Sequence, residues 1–152
     1  MTTATLSNKE VEETLRSVIQ SLIDGQEGFK EIGERLEDST LKRYFAAESL
    51  KRASFRGDLE TVLHTHGVHD TKEHGTTGGA IHRAWADVKA KLGGGDHTLL
   101  ETAEAGEDAA KKAYKDALAK ELPLPIKQIL DTQYVHIQDS HDYVKAERDR
   151  RK

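Results

Sequence analysis

Cysteine is absent from this 152-residue chain, which excludes disulfides, thiolate nucleophiles and zinc–thiolate sites and leaves a reducing compartment open to it. Proline occurs only twice, so little stands in the way of long helices. No run approaches the roughly 18 consecutive apolar residues that a membrane-crossing helix requires. The opening MTTATLSNKE carries no apolar stretch of the signal-peptide kind, and a cytoplasmic address is the expectation. The formal charge of -4 is mild, and no basic run or aromatic–basic interleaving offers the footprint that nucleic acid demands. Neither nucleic acid nor a membrane is expected as a partner.

Charged residues make up 33% of the chain and apolar ones 36%, a balance that suits amphipathic helices far better than a sheet. An all-α fold without strands is expected, as a single domain over residues 1–152. Ser7 followed by Glu10 forms a capping box that opens a first helix over about residues 8–37. Leu15, Val18, Leu22, Gly25, Phe29, Ile32 and Leu36 follow alternating spacings of three and four, the seam of a packed bundle helix. Gly25 and Gly28 lower helix propensity by up to about 1 kcal/mol each, which points to a close backbone neighbour or a local bend.

Asp38 and Ser39 are good N-cap types and lead into a second helix over about 39–65, with Leu41, Tyr44, Phe45, Phe55, Leu59, Val62 and Leu63 on one side. Helical spacing of Ile81, Trp85, Val88 and Leu92 predicts a short helix over about 79–92. A third helix over about 97–121, with Asp96 as N-cap, carries Leu99, Leu100, Ala103, Ala110, Tyr114, Ala117 and Leu118. Pro125 suits the first turn of a fourth over about 125–149, with Ile126, Ile129, Leu130, Ile137 and Val144 inward. The long connection between the second and third helices decides the topology, because an up-down-up-down bundle needs only a short loop there. Two antiparallel hairpins joined by a crossover, the ferritin-like arrangement of a four-helix bundle, are therefore expected.

Several polar residues fall inside the apolar stripes. Glu48 and Arg52 lie between Phe45 and Phe55, Glu107 between Ala103 and Tyr114 with Glu104 at its flank, and Gln133 between Ile129 and Ile137 with His136 and His141 bordering. At about 1.5 Å rise per residue, Glu27, Glu48, Glu107 and His141 each lie about 15 Å from the same end of a crossover bundle. That is the level at which a carboxylate-bridged two-metal site would take a Glu from each of two helices and Glu-x-x-His from the other two. The match is incomplete, because Lys51 stands where the second helix needs His, and the fourth offers Gln133 with His136 or Gln138 with His141.

Asp24-Gly25-Gln26-Glu27-Gly28-Phe29, Gly79-Ala80-Ile81-His82-Arg83-Ala84-Trp85, Gly106-Glu107-Asp108 with Tyr114, and Gln133 with His141-Asp142 together resemble an uncharacterised bacterial family of ferritin-like bundles, a domain of unknown function. The resemblance implies the bundle and a relationship to a superfamily whose better-known members bind two iron or manganese ions. It brings no established activity.

Two readings follow. In the first, Glu27, Glu48, Glu104, Glu107 and His141 ligate iron or manganese, with a role in stress response or in redox and metal handling. In the second the bundle is metal-free and non-catalytic. Glu48, Arg52, Glu107, Gln133, His136 and His141 then form a buried polar network, and the protein serves as a structural or interaction module, with a homodimer as one form. Tyr114 near Glu107 is either a redox group or core packing. The histidines from His64 to His74 suggest a surface zinc or nickel site or a solvated loop, and Trp85 either packs across the bundle or enters a partner groove.

Overall fold

The computed structural model describes residues 7–65 and 95–151. Among them all regular structure is helical: α1 (Asn8–Arg35), α2 (Ser39–Thr65), α3 (Asp96–Leu118) and α4 (Leu124–Asp149). The short helix expected over 79–92, with Trp85, and the histidines from His66 to His74 lie outside the described residues; His64 is exposed near the end of α2.

Several helix ends have a local cause. The Ser7 hydroxyl accepts from the Glu10 N–H at 3.2 Å while the Glu10 carboxylate accepts from the Ser7 N–H at 3.0 Å, so two free donors of the first turn are satisfied reciprocally. Asp38 caps α2 with a single bond, its carboxylate accepting from the Leu41 N–H at 2.9 Å. α3 stops at Leu118, earlier than the spacing predicts. There the tighter bonds Lys120 N–H to Ala117 and Leu122 N–H to Lys120 take over ahead of Pro123, which pushes the residue before it out of helical backbone. Pro125 sits in the first turn of α4, where a missing N–H costs nothing.

Asp96 departs from expectation. Gly95 holds the N-cap position of α3, and the Asp96 carboxylate reaches across to accept from the backbone N–H groups of Glu37 at 2.8 Å and Asp38 at 3.0 Å. The turn between α1 and α2 has its own unpaired donors, and a carboxylate satisfies two of them at once. The Arg151 guanidinium donates to Asp38 at 3.2 Å at the same place. The first turn, the start of α3 and the end of α4 therefore share one end of the bundle. α2 carries the chain some 40 Å away from that end, and α3 starts back at it. α1 packs on α2, α3 on α4, and α1 on α3, the disposition of two hairpins joined by a crossover.

Glycines on α1 let α2 approach. A Cβ on Gly33 would lie 3.0 Å from the Phe45 Cβ, and one on Gly25 would lie 3.3 Å from Nη1 of Arg52. The apolar stripes meet in two separate clusters. One joins Leu15, Val18 and Leu22 to Phe55, Leu59, Tyr114, Leu130 and Ile137; the other joins Phe29, Ile32, Leu36, Leu41 and Phe45 to Leu99, Leu100, Ala103 and Val144. Each fully enclosed Leu or Ile contributes about 1.5–3 kcal/mol, so these clusters outweigh any propensity term. Between them, on every helix, lies a level occupied by Gly25, by Glu48 and Arg52, by Glu107, and by Ser140.

Candidate functional site

That level is a polar layer through the bundle, and its centre is Arg52. The side chain is 0% exposed, as is Glu107, and Glu48 is 4% exposed. Nε of Arg52 donates to Glu48 at 2.8 Å along its own helix, the i to i+4 spacing that stacks two residues on one face. Nη2 donates to Glu107 of α3 at 2.7 Å, and the guanidinium lies 4.7 Å from the centre of the Phe29 ring, within cation–π range. The remaining Glu107 oxygen accepts from the Ser140 hydroxyl of α4 at 2.5 Å. Nε2 of His136 sits 2.9 and 3.0 Å from the two Glu48 oxygens, with its ring edge-on to Phe55. Two turns into the apolar cluster, the Tyr114 hydroxyl donates to Gln133 at 2.8 Å, and the Gln133 amide donates to the Phe55 carbonyl at 3.3 Å.

The electrostatics follow from burial. Burial pushes the Glu48 carboxyl up, but the hydrogen bond from His136 and the charge of Arg52 reverse this and hold it below the usual carboxylate range. At Glu107 burial outweighs Arg52 and Ser140, and its value is raised. Burial disfavours the Arg52 charge, yet Glu107 and Glu48 keep it protonated more firmly than in water. The two carboxylates therefore act oppositely on acid stability. The contribution of Glu48 is present above its unfolded value of about 4.5 and lost as pH falls through its lowered folded value. That of Glu107 is present below 4.5 and lost as pH rises through its raised one.

The alkaline limb has one sign. Burial, eased by a hydrogen bond with Ser140, pushes the Tyr44 hydroxyl up to about 12, and burial also raises that of Tyr114. A raised folded value means stability that is complete below the unfolded value of about 10 and is lost as pH rises from there towards 12. Tyrosinate absorbance of these rings is expected to appear together with loss of helical circular dichroism. Tyr44 and Tyr114 ionising near pH 10 with the helices intact would contradict their enclosure.

A second group lies on the α3–α4 side of the layer. Nε2 of His141 is 2.9 Å from Asp108 and 3.6 Å from Glu104, and Nδ1 is 3.1 Å from Asp142. One ligand atom each from Glu104, Asp108 and His141 lie within 4.8 Å of one another, as ligands of one metal ion would. Arg148 also bonds Glu104. The charged residues singled out by spacing thus divide. Glu48 and Glu107 meet at Arg52, Glu104 and His141 meet at Asp108, and Glu27 is exposed on α1. Asp108 escapes a reading by helical stripes because it is exposed. Its signals in the sequence are its place one turn after Glu104 and its membership of the Gly106-Glu107-Asp108 motif, neither of which marks it as a ligand.

These residues do not fit a two-metal centre in the core. Such a centre needs carboxylates from all four helices facing one space. Here the two that face it are both hydrogen-bonded to a guanidinium, the amide of Gln133 is engaged by Tyr114, and Glu27 is exposed rather than buried in the layer.

No helix among the described residues is long and apolar enough to cross a membrane. No curated protein matches the chain. The profile of one family, a domain of unknown function (DUF2383), matches residues 10–120, from the capping box of α1 to just past the end of α3. On that match the chain belongs to the family of the domain of unknown function DUF2383.

Proposed function

We propose that this protein is a non-catalytic helical bundle whose core is locked by its own cation, and that it serves as a structural or protein-interaction module. The observation behind this reading is the complete enclosure of Arg52 between carboxylates of two helices. A buried ion pair of this kind adds little net stability but penalises every register in which a partner is missing. It specifies one arrangement of α2 against α3, and Ser140 and His136 extend that specification to α4.

The test is a double-mutant cycle joining Arg52→Met and Glu107→Gln, with a coupling of about 0.5–3 kcal/mol expected from urea unfolding. Melting of the wild-type protein is expected to respond to Fe(II) or Mn(II) no more than melting of Glu107→Gln. Stoichiometric iron or manganese that disappears in Glu48→Gln and Glu107→Gln would sink this reading.

The group of Glu104, Asp108 and His141 favours a second reading, a single divalent cation held on the α3–α4 side in a metal-handling role. Two carboxylates and one imidazole suit iron or manganese better than softer ions. Binding would have to compete with Arg148 for Glu104. On this reading Asp108→Asn lowers Mn(II) affinity at least about tenfold in titration calorimetry, the loss of about 1.4 kcal/mol. An unchanged isotherm would remove it.

A further inference from the structure

The layer's chemistry and its occupant are mismatched in charge and in hydrogen-bonding capacity. Glu48 and Glu107 carry two negative charges when ionised, and Arg52 returns one. A guanidinium offers five N–H donors in a planar fork. Arg52 uses Nε and Nη2, and among the described residues its Nη1 has no hydrogen-bond partner although it is buried. That nitrogen faces Gly25, where a Cβ would come within 3.3 Å. The surrounding groups, by contrast, are donors of the metal-ligand type, spread around the guanidinium rather than gathered within 4.8 Å of one another as Glu104, Asp108 and His141 are. Carboxylates arrive from α2 and α3, an imidazole from α4 reaches both Glu48 oxygens, and a hydroxyl from α4 orients Glu107. Oxygen and nitrogen donors of this kind suit first-row divalent cations, and a hydrogen-bonded ligand carboxylate is what a metal site uses to hold its ligands in place.

We infer that Arg52 is a tethered occupant of a cation site formed by Glu48, Glu107 and His136, and that removing its side chain turns the layer into a binding site for a divalent metal ion. The inference rests on the reading that the wild-type core is metal-free. A divalent ion would balance both carboxylates, and the volume vacated beside Gly25 gives it and its water ligands room. The wild-type chain excludes metal because its own guanidinium is tethered beside the carboxylates at a high effective concentration.

The experiment uses the full chain with Asp108→Asn as background, so that the α3–α4 group does not contribute, and Co(II) as the probe. Arg52→Ala in that background is expected to develop the visible absorption of protein-bound Co(II), with affinity at least about a hundredfold above the same background with Arg52 intact. Adding Glu48→Gln or Glu107→Gln to Arg52→Ala should abolish the signal. Arg52→Lys, which keeps a tethered cation, should remain without it. If Arg52→Ala is unfolded without metal, Co(II) should restore its helical circular dichroism, because binding to the folded state alone drives folding.

Folded Arg52→Ala that binds Co(II) no better than its background overturns the inference, as does unfolded Arg52→Ala that Co(II) fails to rescue. Neither result touches the metal-free reading. That reading fails separately, if Co(II) enters the layer with Arg52 in place and is lost on Glu107→Gln.

Discussion

Arg52→Ala, in metal-free buffer, is expected to lower the free energy of unfolding by about 3–5 kcal/mol, the range for breaking a buried ion pair by removing one partner. The loss comes mainly from what remains. Glu48 and Glu107 stay enclosed without the guanidinium that both accept from, and a buried carboxylate without a counter-charge must take up a proton or bring in water. The contact with the Phe29 ring is lost as well. Replacing the three charged residues together, as Glu48→Leu, Arg52→Met and Glu107→Leu, is expected to be near neutral or stabilising by about 1–4 kcal/mol, since apolar groups of similar volume avoid the desolvation cost. His136 is 34% exposed and can turn to water when Glu48 is gone. Urea unfolding of the single and triple variants measures both effects. A loss below about 1 kcal/mol in Arg52→Ala would mean that the layer is wet and that the pair behaves as a surface one.

Phe45→Ala is expected to cost about 3–5 kcal/mol, the range for deleting an enclosed aromatic ring. The ring is fully buried, 5.0 Å from the centre of Phe29 and edge-on to Tyr44. Its own Cβ already lies where a Cβ on Gly33 would be only 3.0 Å away. α1 and α2 are therefore already close here, which resists their moving together to fill the void. The denaturant slope should stay unchanged while the midpoint falls. A cost below about 1.5 kcal/mol would mean that the helices relax into the space. Because Phe45 belongs to the cluster on one side of the polar layer and Arg52 to the layer itself, this variant separates the apolar contribution from the ionic one.

Local features were legible in the chain. The Ser7–Glu10 box, the three–four seam of α1, the Asp38 cap and the two prolines at the start of α4 each act through neighbours within a few residues, and the structure places all four as their chemistry requires. The inward positions of Glu48, Arg52, Glu107 and Gln133 follow from helical angle in the same way. Asp96 was not legible. A carboxylate at the start of a helix is a cap by local rules, and only the proximity of the first turn offers it the N–H groups of Glu37 and Asp38 instead. Asp108 was missed for a related cause, since its use depends on where His141 of another helix points.

The presence of charged groups in the core was thus determined by the sequence alone, because the angle between successive residues of a helix is set by backbone geometry and needs no partner. Which charges neutralise one another was decided only by tertiary structure. Glu107 is 55 residues from Arg52 in the chain, and although helical rise puts the two at a similar depth, no periodicity within α2 or α3 says which of the charges at that depth face one another. That relation arises when the turn at Leu36–Asp38 docks on Asp96, aligns the two hairpins end to end, and brings the carboxylate of α3 against the guanidinium of α2.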